Sequence, residues 1–416
     1  MCLVSVIMAV YNDESRVGRA IESVKRQTFQ DWELLCIDDG STDNTSIILD
    51  TKASLDDRIK VLHFTQNSGP GKARNIGISK ALGKYICFLD SDDLFMEDSL
   101  NILYKVAEET NSEEVYFGMD HTFEDCLLKK LPPENQYFGE NTEYSCYRGG
   151  GKFLYDMIRN NALSFADCRQ FFLREFLRHH SIRFPEDIYS EDVPFTVEAM
   201  MHCSKLCYLR KALYIYCHRP NSITTSAVNA FRLYSMFRIS MIFFEKWYII
   251  TEYSELSKWI LAYLFKRYLA YSKNIYMRLS PEKRKQAKEM VSSDSHNAEM
   301  YCLLIEEQIS GMFVQRINEE KISEIRSYQQ VIIYGAGDYA VDIYRLLKRE
   351  FIDILGFAVT EYGNNVSRID EKPVLCIEDW LDYRDNALII IGTARSSERI
   401  IMINLAKFQF HHVLSL

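Results

Sequence analysis

The feature that most constrains this chain is an apolar run that ends abruptly in acid, GKYICFLDSDDLFM from Gly83 to Met96. Tyr85 to Leu89 suit a strand buried in a parallel sheet, and Asp90, Ser91, Asp92 and Asp93 follow at once. In open α/β folds the C-terminal edge of the sheet is where ligands bind. Closely spaced carboxylates at that edge repel one another unless a cation sits among them. A solvated acidic turn carries the same residue types, so the rest of the chain has to decide.

The same pattern repeats upstream. Val4–Tyr11 reads as a first buried strand, and a helical pattern (Val17, Ile21, Val24) follows Ser15. Leu34–Ile37 is a second strand and runs into Asp38, Asp39 and Gly40, with Ser41 or Thr42 placed to cap the next helix. Ile59–His63 is a third. Gly69, Pro70 and Gly71 form a loop that enters a helix over Lys72–Leu82, with Arg74 and Asn75 in its first turns. Strands alternating with helices at this spacing predict a mostly parallel, three-layer α/β domain.

Further on, Leu94–Thr110 reads as helix, Glu114–Gly118 as strand and Lys129–Arg148 as loop or insertion. Gly151–Asn160 and Cys168–His179 read as helices. Phe184–Tyr189 leads to Glu191 and Asp192 at the head of a helix, and Leu206–Cys217 is a strand pair or a bent strand before His218 and Arg219. From about Ala230 to Ile325 the pattern is helical. Between Arg238 and Glu289 eleven Lys/Arg stand against five Asp/Glu, interleaved with Trp247, Trp259, Tyr263 and Tyr268. Such helices either lie on anionic lipid or pack on the first domain or in a homodimer. Gln330–Leu416 starts afresh as a small Rossmann-like unit, with strands at Val331–Tyr334 and Ile354–Val359. These shifts predict domains over 1–228, 229–328 and 329–416.

The totals fit this plan. The 416 residues are 47% hydrophobic and 26% charged, ordinary for a soluble globular chain of two or three domains. A net charge of -9 argues against a nucleic-acid partner. Eleven scattered cysteines without metal-site spacing read as reduced thiols of a cytoplasmic protein. The opening MCLVSVIMAVYNDE reads as a strand and not as a signal peptide, and no apolar stretch reaches spanning length.

Three carboxylate groups follow expected strands or their extensions: Asp38/Asp39, Asp90/Asp92/Asp93 and Glu191/Asp192. In a parallel sheet the first two share an edge. Oxygen ligands favour Mg2+ or Mn2+ over zinc, and such an ion holds a diphosphate. Arg74 at a glycine-rich helix entry is a natural anion site, and His218 and Arg219 can approach the same phosphates. In the C-terminal unit Gly335, Gly337 and Ala340 partly fit the dinucleotide fingerprint, with Glu361 as the acidic residue past the second strand. Asp338 directly after the glycines opposes a pyrophosphate there.

Together these residues resemble the inverting family 2 glycosyltransferases of GT-A fold. The matching segments are Val4–Asn12, Cys36–Thr45, Gly69–Asp93 and Ser190–Met201, with His218–Thr224 similar to the family's usual tail. Ala9 departs from a common proline. ADCRQFF (Ala166–Phe172) departs from an aromatic–Asn–Lys pattern on the acceptor side. The resemblance implies that Tyr11 and Asp39 contact the nucleotide base, with Ala9 lining it through backbone. Asp90 would stand on the ribose or metal side, with Ser91 in the donor set, Asp92 as direct metal ligand and Asp93 orienting the loop or donor sugar. Asp192 would be the catalytic base, positioned by Glu191, and His218 and Arg219 would face the departing diphosphate.

The function so implied is metal-dependent, inverting transfer of a sugar, from a UDP-sugar above other nucleotide sugars. The acceptor is a hydroxyl of a bacterial cell-surface glycan, lipid-linked or protein-linked, at the cytoplasmic face, with or without peripheral membrane contact. Two other readings stand beside it: a bifunctional protein whose last domain binds NAD or a nucleotide, and a non-catalytic glycan-assembly scaffold.

Overall fold

Strand β1 (Val4–Val10) is the axis of the first sheet in the computed structural model. The structure describes residues 2–123, 143–218, 228–249, 254–292, 295–307, 319–361, 367–392 and 395–415. They fall into two units, Met1–Ala270 and Tyr271–Leu416. In the first, β2 (Trp32–Asp38) and β4 (Tyr85–Phe88) flank β1 in parallel, and β3 (Ile59–His63) extends the sheet beyond β2. β1 thus marks the point where the strand order reverses, and the ends of β1, β2 and β4 open onto one crevice.

Alternation along β1 explains the layers. Val4, Val6, Met8 and Val10 share a core with Val17, Ala20, Ile21 and Val24 of helix α1 (Val17–Lys25). On the opposite face Ile7 meets Gly77 of α3 (Pro70–Lys80). A Cβ at Gly77 would stand 2.3 Å from Ile7 Cγ2, so α3 lies this close to the sheet only because that side chain is missing. Helix α2 (Thr45–Leu55) connects β2 to β3.

Beyond β4 the sheet becomes mixed. Its order runs β3-β2-β1-β4-β8-β6-β9-β5, with β7 also on β9. Here β5 is Leu94–Phe95, β6 is Glu114–Phe123, β7 is Tyr144–Arg148, β8 is Gln170–Leu173 and β9 is Lys205–His218. Three local expectations need correction. The helix expected over Leu94–Thr110 begins only at Ser99 (α4, Ser99–Thr110), because Leu94 and Phe95 pair with β9. The loop expected over Lys129–Arg148 contains β7, and residues 129–142 lie outside the described residues. The helix expected over Cys168–His179 is a single 3-10 turn at Asp167–Arg169, then β8, then helix α6 (Arg174–His179), which follows α5 (Gly150–Arg159). Short apolar runs do not distinguish a buried strand from a helix by period. Here Phe171 stacks on Tyr85 at 4.9 Å and Phe172 meets Phe88, which decides for strand. The Leu206–Cys217 stretch is one continuous β9, with register shifts against β6 on either side of Gly118.

Helix α7 (Asp192–His202) packs beside α8 (Ala230–Ile249), and Lys246 pairs with Glu198. Helix α9 (Glu255–Arg278) reaches the same unit through Trp259 on Tyr155 and Tyr268 on Phe165. The aromatics expected to serve either lipid or packing therefore serve packing in part, while Trp247, Tyr248 and Trp259 keep exposed faces. No helix of the described residues is long and apolar enough to cross a membrane.

The second unit carries helices α10 (Pro281–Val291), α11 (Ser295–Tyr301) and α12 (Glu319–Arg326) ahead of a six-stranded sheet. Strands β10 (Gln330–Tyr334), β11 (Gly356–Val359), β13 (Lys372–Cys376), β14 (Ala387–Ile391) and β15 (Val413–Ser415) are parallel, and β12 (Arg368–Ile369) is an antiparallel edge. Val331 and Ile333 face Ile343 and Leu347 of α13 (Asp338–Arg349), while Ile332 and Tyr334 face Ile401 and Leu405 of α14 (Arg395–Lys407). This is the expected α/β architecture: a Rossmann-like mixed sheet, a helical stretch and a small Rossmann-like unit.

Candidate active site

The loops after β1 and β2 clasp each other. Asn12 donates its backbone N–H to Ser41 Oγ (3.0 Å), and its side-chain oxygen accepts from Thr42 N–H (2.8 Å). Tyr11 beside them is about half exposed, and Ala9 is half-buried at the strand end. Asp39 is buried, and its two oxygens accept the backbone N–H groups of Ser68 (2.7 Å) and Gly69 (2.8 Å). Burial raises its pKa despite those two donors. Gly40 has φ +73, and a Cβ there would lie 2.7 Å from the Gln66 carbonyl carbon. Asp39 and Gly40 together seat the 66–69 loop that opens α3.

The Asp90–Asp93 turn is held from three sides. Tyr214 donates its hydroxyl to Asp93 Oδ2 (2.8 Å) and accepts the Asp90 N–H (3.1 Å), while Cys217 N–H donates to Asp93 Oδ1 (2.7 Å). Asp93 therefore points inward and orients the loop, and burial, with Asp90 and Asp92 nearby, pushes its pKa up to about 8. Ser91 donates to Asp13 Oδ2 (2.6 Å), which ties the turn to the loop after β1. Asp90 and Asp92 remain half-buried at the crevice.

Arg74 joins this turn to the far side of the site. Its Nη2 lies 2.8 Å from Asp90 Oδ1, its Nη1 2.5 Å from Glu191 Oε1 and its Nε 3.0 Å from Asp167 Oδ2. The guanidinium is buried, so these pairs are little screened. The expectation of Arg74 as an anion ligand meets a different arrangement, in which all three nitrogens face the chain's own carboxylates. Asn75 pins the same segment by exchanging two hydrogen bonds of 2.9 Å with the Phe184 backbone. Gly71 permits the approach, since a Cβ there would lie 2.4 Å from the Pro185 carbonyl oxygen.

Asp192 opens α7 immediately after Glu191. Burial, then Glu191 and Asp167, hold its carboxyl well above the ordinary range against the pull of Arg74. Asp167 is pushed up to about 7, by burial first, with Arg74 opposing and Asp90 and Glu191 adding. One guanidinium thus sits among four acids, and burial and mutual repulsion raise Asp167 and Asp192 while Arg74 opposes the shift. Among the described residues no group of three or more His, Cys, Asp or Glu side chains is arranged to hold a metal ion.

His218 ends β9 next to Cys217, its Nε2 3.0 Å from His121 Nδ1, with the two rings stacked. Burial and His121 lower its pKa. Arg219 lies outside the described residues. Sequence reasoning misses Asp167, Tyr214, His121 and Asp13. The segment containing Asp167 reads only as unusual, and the other three acquire meaning from strand neighbours that no local pattern reveals. In the second unit Gly335 (φ +126) donates its N–H to the Ala358 carbonyl (2.7 Å), Gly337 precedes α13 and Glu361 is exposed past β11.

Comparison with known proteins fits this geometry. The family model described as "Glycosyl transferase family 2" matches residues 5–180. Glycosyltransferase GlyG of Streptococcus pneumoniae is 30% identical over 230 residues, which are 53% of this chain and 72% of the relative. A GalNAc(5)-diNAcBac-PP-undecaprenol beta-1,3-glucosyltransferase of Campylobacter jejuni is 30% identical over 234 residues, 55% of this chain and 70% of the relative. The crystal structure of S. aureus TarS 1-349 shares the fold, with a TM-score of 0.54 at 22% identity over 73% of this chain and 84% of that one. The chain belongs to glycosyl transferase family 2. It is a glycosyltransferase, of a family that moves sugars from nucleotide-sugar donors to glycan acceptors.

Proposed function

We propose that the first unit catalyses metal-dependent, inverting transfer of a sugar from a nucleotide sugar, a UDP-sugar before others, to a hydroxyl of a bacterial cell-surface glycan. The observation that carries this reading is the Arg74 bridge, which holds Asp90 on the donor edge and Glu191 beside Asp192 in one rigid arrangement. Asp192, with its carboxyl pKa raised, is the stronger base for it and takes the proton from the acceptor hydroxyl. The oxygen freed attacks the anomeric carbon on the face opposite the nucleotide, so one displacement inverts the configuration. Glu191 holds Asp192 in place through Arg74.

On the donor side Tyr11 offers an exposed ring to the base, and Asp39 keeps lone pairs for it while seating the 66–69 loop. His218 stands next to the turn for the leaving diphosphate. The residues present fit Mn2+ or Mg2+, which are commonly held by one or two carboxylates plus substrate phosphates and need no full protein cage. Asp92, with Asp90 beside it, would hold that ion, and the chemistry it supplies is neutralisation of charge on the departing diphosphate. A lipid-linked acceptor is supported by the Campylobacter jejuni relative, whose name specifies an undecaprenol-linked saccharide. The setting that follows is cytoplasmic, with peripheral membrane contact through the exposed aromatics of α8 and α9. For the second unit we favour ligand binding or docking without chemistry.

The test is a hydrolysis screen of UDP-, GDP- and CDP-sugars with Mn2+ or Mg2+, comparing the wild type with Asp92→Asn. Turnover with one nucleotide class, dependent on metal and lost in the variant, is expected. Neither metal-dependent turnover nor metal-dependent nucleotide binding in the wild type would sink the reading.

A further inference from the structure

Strands β7 and β9 set two cysteines face to face. Cys146 is directly opposite Cys207 in their antiparallel ladder. At one end of the ladder Arg210 N–H donates to the Glu143 carbonyl (3.0 Å), and at the other Gly149 N–H donates to the Ser204 carbonyl (2.8 Å). Hydrogen-bonded and non-hydrogen-bonded pairs alternate along such a ladder. The pairs at 143, 145, 147 and 149 are therefore hydrogen-bonded, and Cys146 with Cys207 is a non-hydrogen-bonded pair. That is the closer kind, with Cα atoms about 4.5 Å apart, inside the span that a disulfide bridges. Directly opposed side chains project from the same face of the sheet. The two thiols are free.

Their exposures differ in a useful way. Cys146 is exposed on β7, which pairs only with β9 among the described residues, whereas Cys207 is fully buried in the core. An oxidant from solvent meets Cys146 first and reaches Cys207 only through it.

We propose that Cys146 and Cys207 are a modification site, forming a reversible cross-strand disulfide by exchange with a low-molecular-weight disulfide of the glutathione type. The Cys146 thiolate attacks one sulfur of the small disulfide, expels one thiolate and forms a mixed disulfide. Cys207 then gives its proton to water and attacks the Cys146 sulfur, expelling the second thiolate. Two protein thiols are oxidised, one small disulfide is reduced to two thiols, and one S–S bond replaces another. Burial raises the pKa of Cys207, which makes this second step the slow one. The bridge closes a loop that contains Asp167, Glu191 and Asp192, and fastens it to the strand whose Tyr214 and Cys217 hold Asp93. Oxidation therefore limits the freedom of this loop when the strand pair opens, and this holds whatever group the site transfers.

The experiment uses the full chain incubated with glutathione disulfide at mildly alkaline pH. Remaining thiols are alkylated, and non-reducing peptide mapping by mass spectrometry reads the links. The expected product joins the Cys146 and Cys207 peptides at a mass about 2 Da below the two thiols, and dithiothreitol reverses it. In Cys146→Ser, an exposed position that folding tolerates, the linked pair is absent and Cys207 stays unmodified. A glutathione adduct on Cys146 that never resolves, a link from Cys146 to another cysteine, or no reaction at all each overturns the proposal.

Discussion

The Nε of Arg74 lies 3.0 Å from Oδ2 of Asp167, a contact between the first turns of α3 and a single 3-10 turn before β8. It completes a set in which every guanidinium nitrogen meets a different acid. The Asp90 turn and the Glu191–Asp192 helix start share one cation, so a change at either end is felt at the other.

Arg74→Met removes the cation and leaves buried carboxylates uncompensated. We expect destabilisation of about 3–5 kcal/mol at neutral pH. The cost should shrink toward acid pH, where those carboxyls take up protons. Urea unfolding of both proteins at several pH values measures it, and a pH-independent difference would show that packing, not charge, dominates.

Asp192→Asn should lower kcat by about 10² to 10⁴ while nucleotide binding by calorimetry stays near wild type. Because the Asp192 carboxyl titrates above the ordinary range, activity falls on acidification well before a normal carboxylate would be protonated. An acid limb of kcat/KM near the ordinary Asp value of 3.8 would contradict this assignment.

Glu114 is fully buried in β6, and neither side-chain oxygen has a hydrogen-bond partner among the described residues. Burial raises its pKa well above 4.5. A folded-state pKa above the unfolded one contributes most below the unfolded value and loses that contribution as pH rises through the folded value. Glu114→Gln should therefore raise the thermal midpoint at alkaline pH and leave it nearly unchanged near pH 4. Equal shifts at both pH values would assign the effect to packing.

Gly77→Ala forces a methyl group against Ile7, with an expected cost of about 1–3 kcal/mol. Since Arg74 lies one turn earlier on α3, activity should fall by more than stability alone explains. Ile7→Ala removes the Cγ2 that the new methyl meets, so the double variant should cost less than the two single changes summed, read from unfolding midpoints and steady-state rates.

Much of the first sheet's crevice was legible along the chain. The strand at Tyr85–Phe88, its acidic turn, the Asp38–Gly40 turn and the Gly69–Gly71 loop all use short-range signals: a continuous apolar run, a residue with positive φ and carboxylates at a strand end. The apolar spacing of the Cys168–His179 segment suits a helix until Phe171 and Phe172 find Tyr85 and Phe88 across the sheet. Asp167 and Tyr214 were not legible as site residues at all. Their roles depend on β8 and β9 entering between and beside strands that are distant in sequence.

The sequence by itself determined the parallel α/β frame, the family and the carboxylates at its edge, because buried strands, turns and helix starts are decided by neighbours a few residues apart. Only the tertiary structure decided what those carboxylates face. It committed Arg74 to Asp90, Asp167 and Glu191, turned Asp93 inward to Tyr214, and set Cys146 against Cys207. The physical reason is that charge pairing and strand register act through space. The residue that neutralises an acid, or stands opposite a thiol, is fixed by which elements pack together and not by what adjoins it in the chain.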